Sequence, residues 1–326
     1  MLVFHVMQVI GDVPVFGDPV DAEALTQIQR CRATADAAAL MADHHIGYAV
    51  PIGGVVVYKD AISPSGVGYD IGCGNKAVLT DMPGSEARDK IATLMDDIFD
   101  RLSFGMGQKN KRRAESDVFE RDEWRLPVAG KLKALAHDQL GTIGSGNHYV
   151  DLFTDEQVRI LGARERDEVH NHHNFAWLEE HHGEMVWVVR KGATPAFPGQ
   201  RGFVGGSMGD DAVIVEGVES DLSRVAYYST VHGAGRVMSR TAAKGKVDRK
   251  TGEVLRPGLV STEMMRDWVR DRGVELRGAG TDEAPQCYKR LPEVLGHHDQ
   301  TIRVLHTLRP IGVAMAGERE FDPYKD

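Results

Sequence analysis

Glycine falls in short runs along this chain, and each run stands beside side chains capable of chemistry. Gly66, Gly68, Gly72 and Gly74 surround Asp70 and Cys73, while Gly141, Gly144 and Gly146 precede Asn147, His148 and Asp151. Gly202, Gly205, Gly206 and Gly209 surround Ser207 and Met208, and Gly233 and Gly235 follow His232. Glycine admits positive φ and lets backbone N–H groups close on an anion. A chain patterned this way folds around tight turns that gather polar groups, rather than around long unbroken helices. With 36 glycines in 326 residues, the frequency stands well above the usual ~7%.

Apolar residues at 42% and charged residues at 27% belong to a globular chain and exclude a mostly disordered or fibrous one. A formal charge of −9 argues against a surface coated with basic residues for indiscriminate nucleic-acid binding. Two local basic groups stand out: Lys109, Lys111, Arg112 and Arg113, and then Arg236, Arg240, Lys244, Lys246, Arg249 and Lys250. The first reads as solvated helix charge; the second follows His232 and reads as an RNA- or phosphate-binding patch, with Arg236 and Arg240 spaced to share a helical face. Cys31, Cys73 and Cys287 form no C-x-x-C pair, which excludes a zinc ribbon or a disulfide framework and fits a reducing compartment. The first ten residues lack a basic leader region and read as a strand. No apolar run reaches the ~18 residues of a membrane span. The expected localisation is cytoplasmic.

Periodicity predicts helices over residues 21–42, with Asp21 as N-cap, and over 85–103, 131–140, 261–272 and 290–308. Residues 47–58 and 185–215 read as strands punctuated by glycine. No repeat or low-complexity linker divides the chain. The economical expectation is one α+β domain over residues 1–326.

Four constellations carry chemistry. In the first, Asp70 and Cys73 lie three apart between glycines and offer a hard and a soft ligand to a borderline divalent ion; a buried structural cysteine in a turn satisfies the same pattern. The second, Gly141-Thr-Ile-Gly-Ser-Gly-Asn147-His148-Tyr-Val-Asp151, sets an amide, an imidazole and a carboxylate after a glycine nest, without Walker or dinucleotide spacing. The third places His170, His172, His173, His181 and His182 within thirteen residues, a density suited to metal binding, on a helix if the segment is helical. In the fourth, His232 is flanked by Gly233, Ala234 and Gly235, which leave room for a phosphate at an imidazole able to attack phosphorus.

Taken in order, these segments resemble the RtcB-type RNA ligases. The matching residues are Asp70-Ile-Gly-Cys73-Gly, Gly141 to Tyr149, His173-Asn174, Arg190-Lys-Gly-Ala193, Gly206-Ser-Met-Gly209 and His232-Gly-Ala-Gly-Arg-Val-Met-Ser-Arg240. Asp43-His-His45-Ile-Gly47 and Leu308-Arg-Pro-Ile-Gly312 match outside those motifs. The resemblance implies a single RtcB-like domain with a central β-sandwich-type core flanked by helices. It implies an enzyme that joins RNA 3′-phosphate or 2′,3′-cyclic phosphate ends to 5′-hydroxyl ends, in tRNA splicing or RNA repair. GTP and one or two Mn2+ ions would be its cofactors, RNA such as tRNA its partner, and an archease-like protein a candidate activator. By the same resemblance His232 is the guanylylated nucleophile, and Asp70, Cys73, His148 and His173 are metal ligands. Asn147, Asp151, Asn174, Gly205, Gly206, Ser207, Met208, Gly233, Ala234 and Gly235 fall on nucleotide-binding positions.

The chain also departs from that family. His148 and His173 are 25 residues apart, with no H-[ST]-G-S-R-G segment and its metal-binding histidine, so the chain is shortened between about residues 152 and 169. Residues 313–317 hold no lysine where the family reads V-x-K-G, and Ala212 stands for a serine. The alternative function is a relative that binds RNA ends or nucleotide without ligating, or that transfers a nucleotide to RNA ends without sealing.

Overall fold

Strands whose alternate residues serve two different cores build the largest sheet. A computed structural model of the chain describes residues 7–144, 146–155, 165–247, 251 and 253–318. Ser145, residues 156–164 at the expected shortening, and Arg249 and Lys250 of the second basic group lie outside the described residues. The sheet runs in the order Met7–Ile10, Val13–Phe16, Ala37–His45, Ile52–Tyr58, Glu184–Lys191 and Asn174–His181. Ala39, Met41, Val55, Val57, Val186 and Val188 face one core, and Ala38, Leu40 and Val56 the other, as the period of two requires. Gly11 and Asp12, at φ 55° and 64°, make the two-residue turn between the first pair of strands, whose twist suits a hairpin.

The two faces are covered differently. The helix Ala22–Arg32 lays Ala24 and Ile28, one turn apart, on one face. Asp21 caps it by accepting from the Ala24 N–H at 2.7 Å, so this end forms as the sequence predicts. The opposite core includes Val204, Val213 and Val215 from a second sheet, in which Arg201–Val204 pairs with Ala212–Gly217 and that strand with residues 302–308. Two sheets sharing one apolar layer form the β-sandwich-type core, and the α+β class stands.

The chain divides into two compact units. The first, Met1–Gly84, Thr154–Met238 and Gln286–Arg309, holds the six-stranded sheet and, of the second sheet, Arg201–Val204, Ala212–Gly217 and residues 302–308. The second, Ser85–Phe153, Ser239–Pro285 and Pro310–Asp326, holds the helices Ile91–Arg101, Pro127–Gln139 and Thr262–Asp271. There Glu275–Ala279 runs parallel to residues 312–317. An added Cβ at Gly312 would come within 2.4 Å of the Met95 sulfur, so glycine lets that helix approach the strand.

Several sequence expectations need correction. The helix from Ala22 stops at Arg32, and the following apolar run becomes the strand Ala37–His45, because it is buried on both sides. The histidine tract is not helical: Glu165–His172 and Asn174–His181 are strands, with His182 and Gly183 at positive φ in a tight turn. Of residues 290–308, only Leu291–Gly296 is helical before the strand Ile302–Gly317 begins. Arg236 and Arg240 do not share a helical face, since Ser239 caps a helix that starts at Arg240. Among the described residues no helix is long and apolar enough to cross a membrane.

Candidate active site

His232 follows the short strand Ser229–Val231, which is held against Ala193–Pro195. Its environment is set by Asp43, near the end of the strand Ala37–His45. One Asp43 oxygen, Oδ2, accepts from His232 Nδ1 at 2.6 Å, from the His232 backbone N–H at 3.0 Å and from Gly233 N–H at 3.4 Å. An ionised carboxylate only accepts, so Nδ1 carries the ring proton and Nε2 keeps its lone pair. Asp43 is fully buried, whereas the His232 side chain is 16% exposed. Burial opposes charge on His232 most strongly, but the charge and hydrogen bond of Asp43 and the Gly192 backbone outweigh it, leaving the pKa above the usual histidine value. For Asp43 burial acts upward, yet His232 and Lys289 prevail and hold the carboxyl below its ordinary range.

Two glycines admit this carboxylate. At Gly235, φ +76°, an added Cβ would lie 2.1 Å from the Asp43 carbonyl oxygen; at Gly53, φ +79°, it would lie 2.9 Å from Asp43 Oδ1. Asp43 Oδ1 is itself buried with no hydrogen-bond partner among the described residues. The Lys289 ammonium bonds the carbonyls of Ala42 and His44 at 2.9 and 3.2 Å and adds positive charge beneath the pair.

The corner between two strands supplies the next groups. His173 breaks the run between Glu165–His172 and Asn174–His181, donates its backbone N–H to the Cys73 carbonyl at 2.9 Å, and sets its ring 4.8 Å from that of His232. Asn174 Nδ2 donates to Asp70 Oδ2 at 2.6 Å, while its Oδ1 accepts from Gly192 N–H at 2.7 Å. One amide thus fixes the carboxylate and the turn after Lys191. Burial and then the Asp70 charge push the Cys73 thiol up to about 11. Lys191 is buried and donates to the Tyr48 carbonyl; burial lowers its pKa against the opposing pull of Asp70. Among the described residues no three His, Cys, Asp or Glu side chains form a ready-made metal cluster.

The remaining sequence candidates divide. Gly205 bridges to Gly233, which brings the Gly205-Gly206 turn beside the His232 segment. Ser207 donates to Asp210 at 2.6 Å, and Met208 and Ala234 are buried apolar groups. Arg236 donates to the Met238 carbonyl and the Tyr288 hydroxyl, with its guanidinium 4.9 Å from the Tyr288 ring. Arg240, in the second unit, pairs at 2.7 Å with the buried Glu283. Asn147, His148 and Asp151 also belong to the second unit. There His148 Nδ1 donates to the Ile143 carbonyl at 2.6 Å, which fixes the tautomer of that ring. Gly144, φ +81°, makes room for that ring. Asp151 Oδ1 is buried with no hydrogen-bond partner among the described residues, and burial lifts its carboxyl well above the usual range.

With the geometry in place, a comparison with known proteins decides the family. The family model described as tRNA-splicing ligase RtcB matches residues 24–126 and 159–316. The chain belongs to the RtcB family. The RNA-splicing ligase RtcB of Escherichia coli (strain K12) is 27% identical, across 90% of this chain and 94% of the relative. The tRNA-splicing ligases RtcB of Pyrobaculum aerophilum and Thermococcus kodakarensis are each 27% identical, across 84% of this chain and 86% of each relative. The Escherichia coli alignment spans 404 positions against the 326 residues here, so that RtcB relative holds segments this chain lacks. The RtcB model match skips residues 127–158, so Asn147, His148 and Asp151 rest on their own motif.

Asp43 and Lys191 both lie in matched segments, yet neither receives a role at the site from sequence alone. A signal for the first was present: Asp43 is a carboxylate at the end of a run of small apolar residues that must be buried. The histidine tract was overread as one cluster. His181 instead pairs with Glu179 at 2.8 Å inside the fold, where Glu179 also receives the fully buried Arg190 at 2.6 and 3.0 Å.

Proposed function

We propose that this chain is an RNA ligase that seals 3′-phosphate or 2′,3′-cyclic phosphate ends to 5′-hydroxyl ends through a guanylylated His232, using GTP and Mn2+. The observation that supports it most is the Asp43–His232 pair, with Nδ1 held as the donor by a buried carboxylate. That tautomer leaves the lone pair on Nε2 to act as a nucleophile. In the proposed first step Nε2 attacks the α-phosphorus of GTP, an N–P bond forms, and pyrophosphate leaves with the electrons of the broken P–O bond. GMP then passes to the RNA 3′-phosphate, and the 5′-hydroxyl displaces it.

Asp70, Cys73 and His173 supply the hard, soft and intermediate donors that suit a borderline divalent ion. The donor chemistry fits manganese. The ion would supply neutralisation of triphosphate charge. Asn174 keeps the Asp70 carboxylate oriented, and the Gly205 and Gly233 backbones offer room beside His232 for phosphate oxygens.

The test is incubation with Mn2+ and labelled GTP, then with RNA bearing a 3′-phosphate and a 5′-hydroxyl. Acid-labile, alkali-stable label on wild type but not on His232→Ala, followed by joined RNA, is the expected result. Absence of label with every divalent metal tried overturns the proposal. A second reading, nucleotidyl transfer with altered base choice or without sealing, is favoured by residues 313–316, which are apolar and buried where the family has a lysine. Running ATP beside GTP and scoring capped but unsealed RNA separates the two.

A further inference from the structure

The histidine tract carries a feature that the ligase chemistry does not use. On Glu165–His172 the side chains alternate: Asn171 turns in, where it accepts from the Phe203 N–H at 2.8 Å, and His170 and His172 turn out. After the corner at His173 and Asn174, where the chain passes to another sheet, the row of rings continues with Phe175 and Trp177. The four rings follow one another at 4.6 Å (His170 to His172), 6.3 Å (His172 to Phe175) and 5.3 Å (Phe175 to Trp177). Phe175 is 41% exposed and His170 is exposed, which is unfavourable for a row of rings with no ligand.

This row joins the active site covalently and by hydrogen bonds. His172 Nδ1 donates to the Gly72 carbonyl at 2.6 Å, between Asp70 and Cys73, and Phe175 directly follows the Asn174 that holds Asp70. Positive charge borders it. Lys76 lies in register with His170, its half-exposed ammonium 2.8 Å from Glu168. Two imidazoles, one of them committed to a carbonyl, do not make a metal site. The alternation of rings with polar groups lacks the aliphatic content of a protein-docking core.

We propose that His170, His172 and Phe175 form a stacking track for unpaired bases of a single-stranded RNA whose end enters the His232 site. Every base presents a π-face, so such a track holds RNA of any sequence, and Lys76 meets the phosphates by exchanging Glu168 for them. The inference rests on the ligase reading for the identity of the strand and adds the place where that strand lies.

The experiment is fluorescence anisotropy of the full chain with a short labelled single-stranded RNA ending in a 3′-phosphate. Phe175→Ala should weaken binding by about 5- to 100-fold, the range expected for loss of one stacked base. Phe175→Trp should retain affinity, which excludes a folding defect at that position. An RNA with abasic sites near its 3′ end should bind wild type as weakly as Phe175→Ala binds normal RNA. Unchanged RNA affinity in Phe175→Ala and in His170→Ala overturns the track. A loss confined to GTP binding also overturns it, by assigning the ring to the nucleotide. Self-guanylylation of the unaltered protein on the same preparation tests the ligase reading separately: failure to label with Phe175-dependent RNA binding removes the chemistry and keeps the track.

Discussion

Asp43→Asn tests whether the buried carboxylate orients His232 or merely tunes its charge. The exchange preserves shape, so the site is not emptied. One oxygen of Asp43 serves three donors, the His232 ring at 2.6 Å and two backbone N–H groups at 3.0 and 3.4 Å. A neutral amide oxygen facing the ring keeps these contacts but loses their charge assistance. An amide NH2 facing it forces Nδ1 to accept, drives the ring proton to Nε2 and occupies the attacking lone pair. The same exchange in a serine-protease triad costs about 10⁴-fold. Here about 10²- to 10⁴-fold in guanylylation is expected, ~3–5 kcal/mol in the barrier. The pH dependence separates the alternatives. Burial holds the His232 pKa down and Asp43 raises it above the usual value, so removing that charge lowers it and leaves more neutral ring at neutral pH. A carboxylate that only tuned charge would therefore predict a faster variant below neutrality. Orientation predicts that the rising limb of the pH–rate profile moves to lower pH while the plateau falls. Single-turnover labelling with GTP across pH measures both, and a variant plateau equal to wild type refutes the reasoning.

Four further outcomes are expected. Asn174→Ala leaves Asp70 and the Gly192 N–H without their partner, so denaturant titration should show a loss of about 1–3 kcal/mol, with guanylylation falling as well. Arg190→Lys cannot reproduce the fork that reaches Glu179, Ser229 and the Tyr227 carbonyl, and a loss of about 3–5 kcal/mol should appear in the same assay. Chelation of divalent metal should abolish labelling and fresh Mn2+ restore it, while Cys73→Ala raises the Mn2+ concentration needed; labelling in full chelator would sink the metal assignment. His44 and His298, both fully buried, have pKa values lowered to about 4, first by burial. The unfolded chain binds protons below about 6.5 while the native state does not, so stability is lost as pH falls from about 6.5 toward 4. Between pH 7 and pH 5 this amounts to about 2 kcal/mol per histidine, and His298→Gln should flatten the slope of melting temperature against pH.

Local signals foresaw much of this structure and failed at identifiable places. Asp21, followed by Ala, Leu and Gln at helical spacing, predicts the helix that starts at Ala22, because a cap and a periodic face are both local. The end at Arg32 was missed, because residues 37–42 are small and apolar, equally suited to a helix and to a strand covered on both sides; only the neighbouring strands decide. The histidine tract failed for the opposite reason. Its composition is unusual, but a period of two sends His170 and His172 outward, while His181, before the turn at His182 and Gly183, is buried and hydrogen-bonded to Glu179. Composition alone does not report that division.

Asp43 marks the limit of motif reading. His232 is recognisable from the glycines around it, which are a local trait. The carboxylate that sets its tautomer lies 189 residues away, on a strand whose other side chains are core. Nothing short-range distinguishes a working Asp43 from a misplaced charge, except that burying it alone would cost several kcal/mol. That cost is the usable clue. A carboxylate inside an apolar strand demands a partner, and here the pairing of Ser229–Val231 with Ala193–Pro195 delivers the imidazole to it, while Gly53 and Gly235 clear the space. Replacing either glycine by alanine should therefore push on Asp43 and weaken the Asp43–His232 pair while leaving both residues chemically unaltered. A fall in guanylylation larger than the loss of stability explains would distinguish this from simple unfolding.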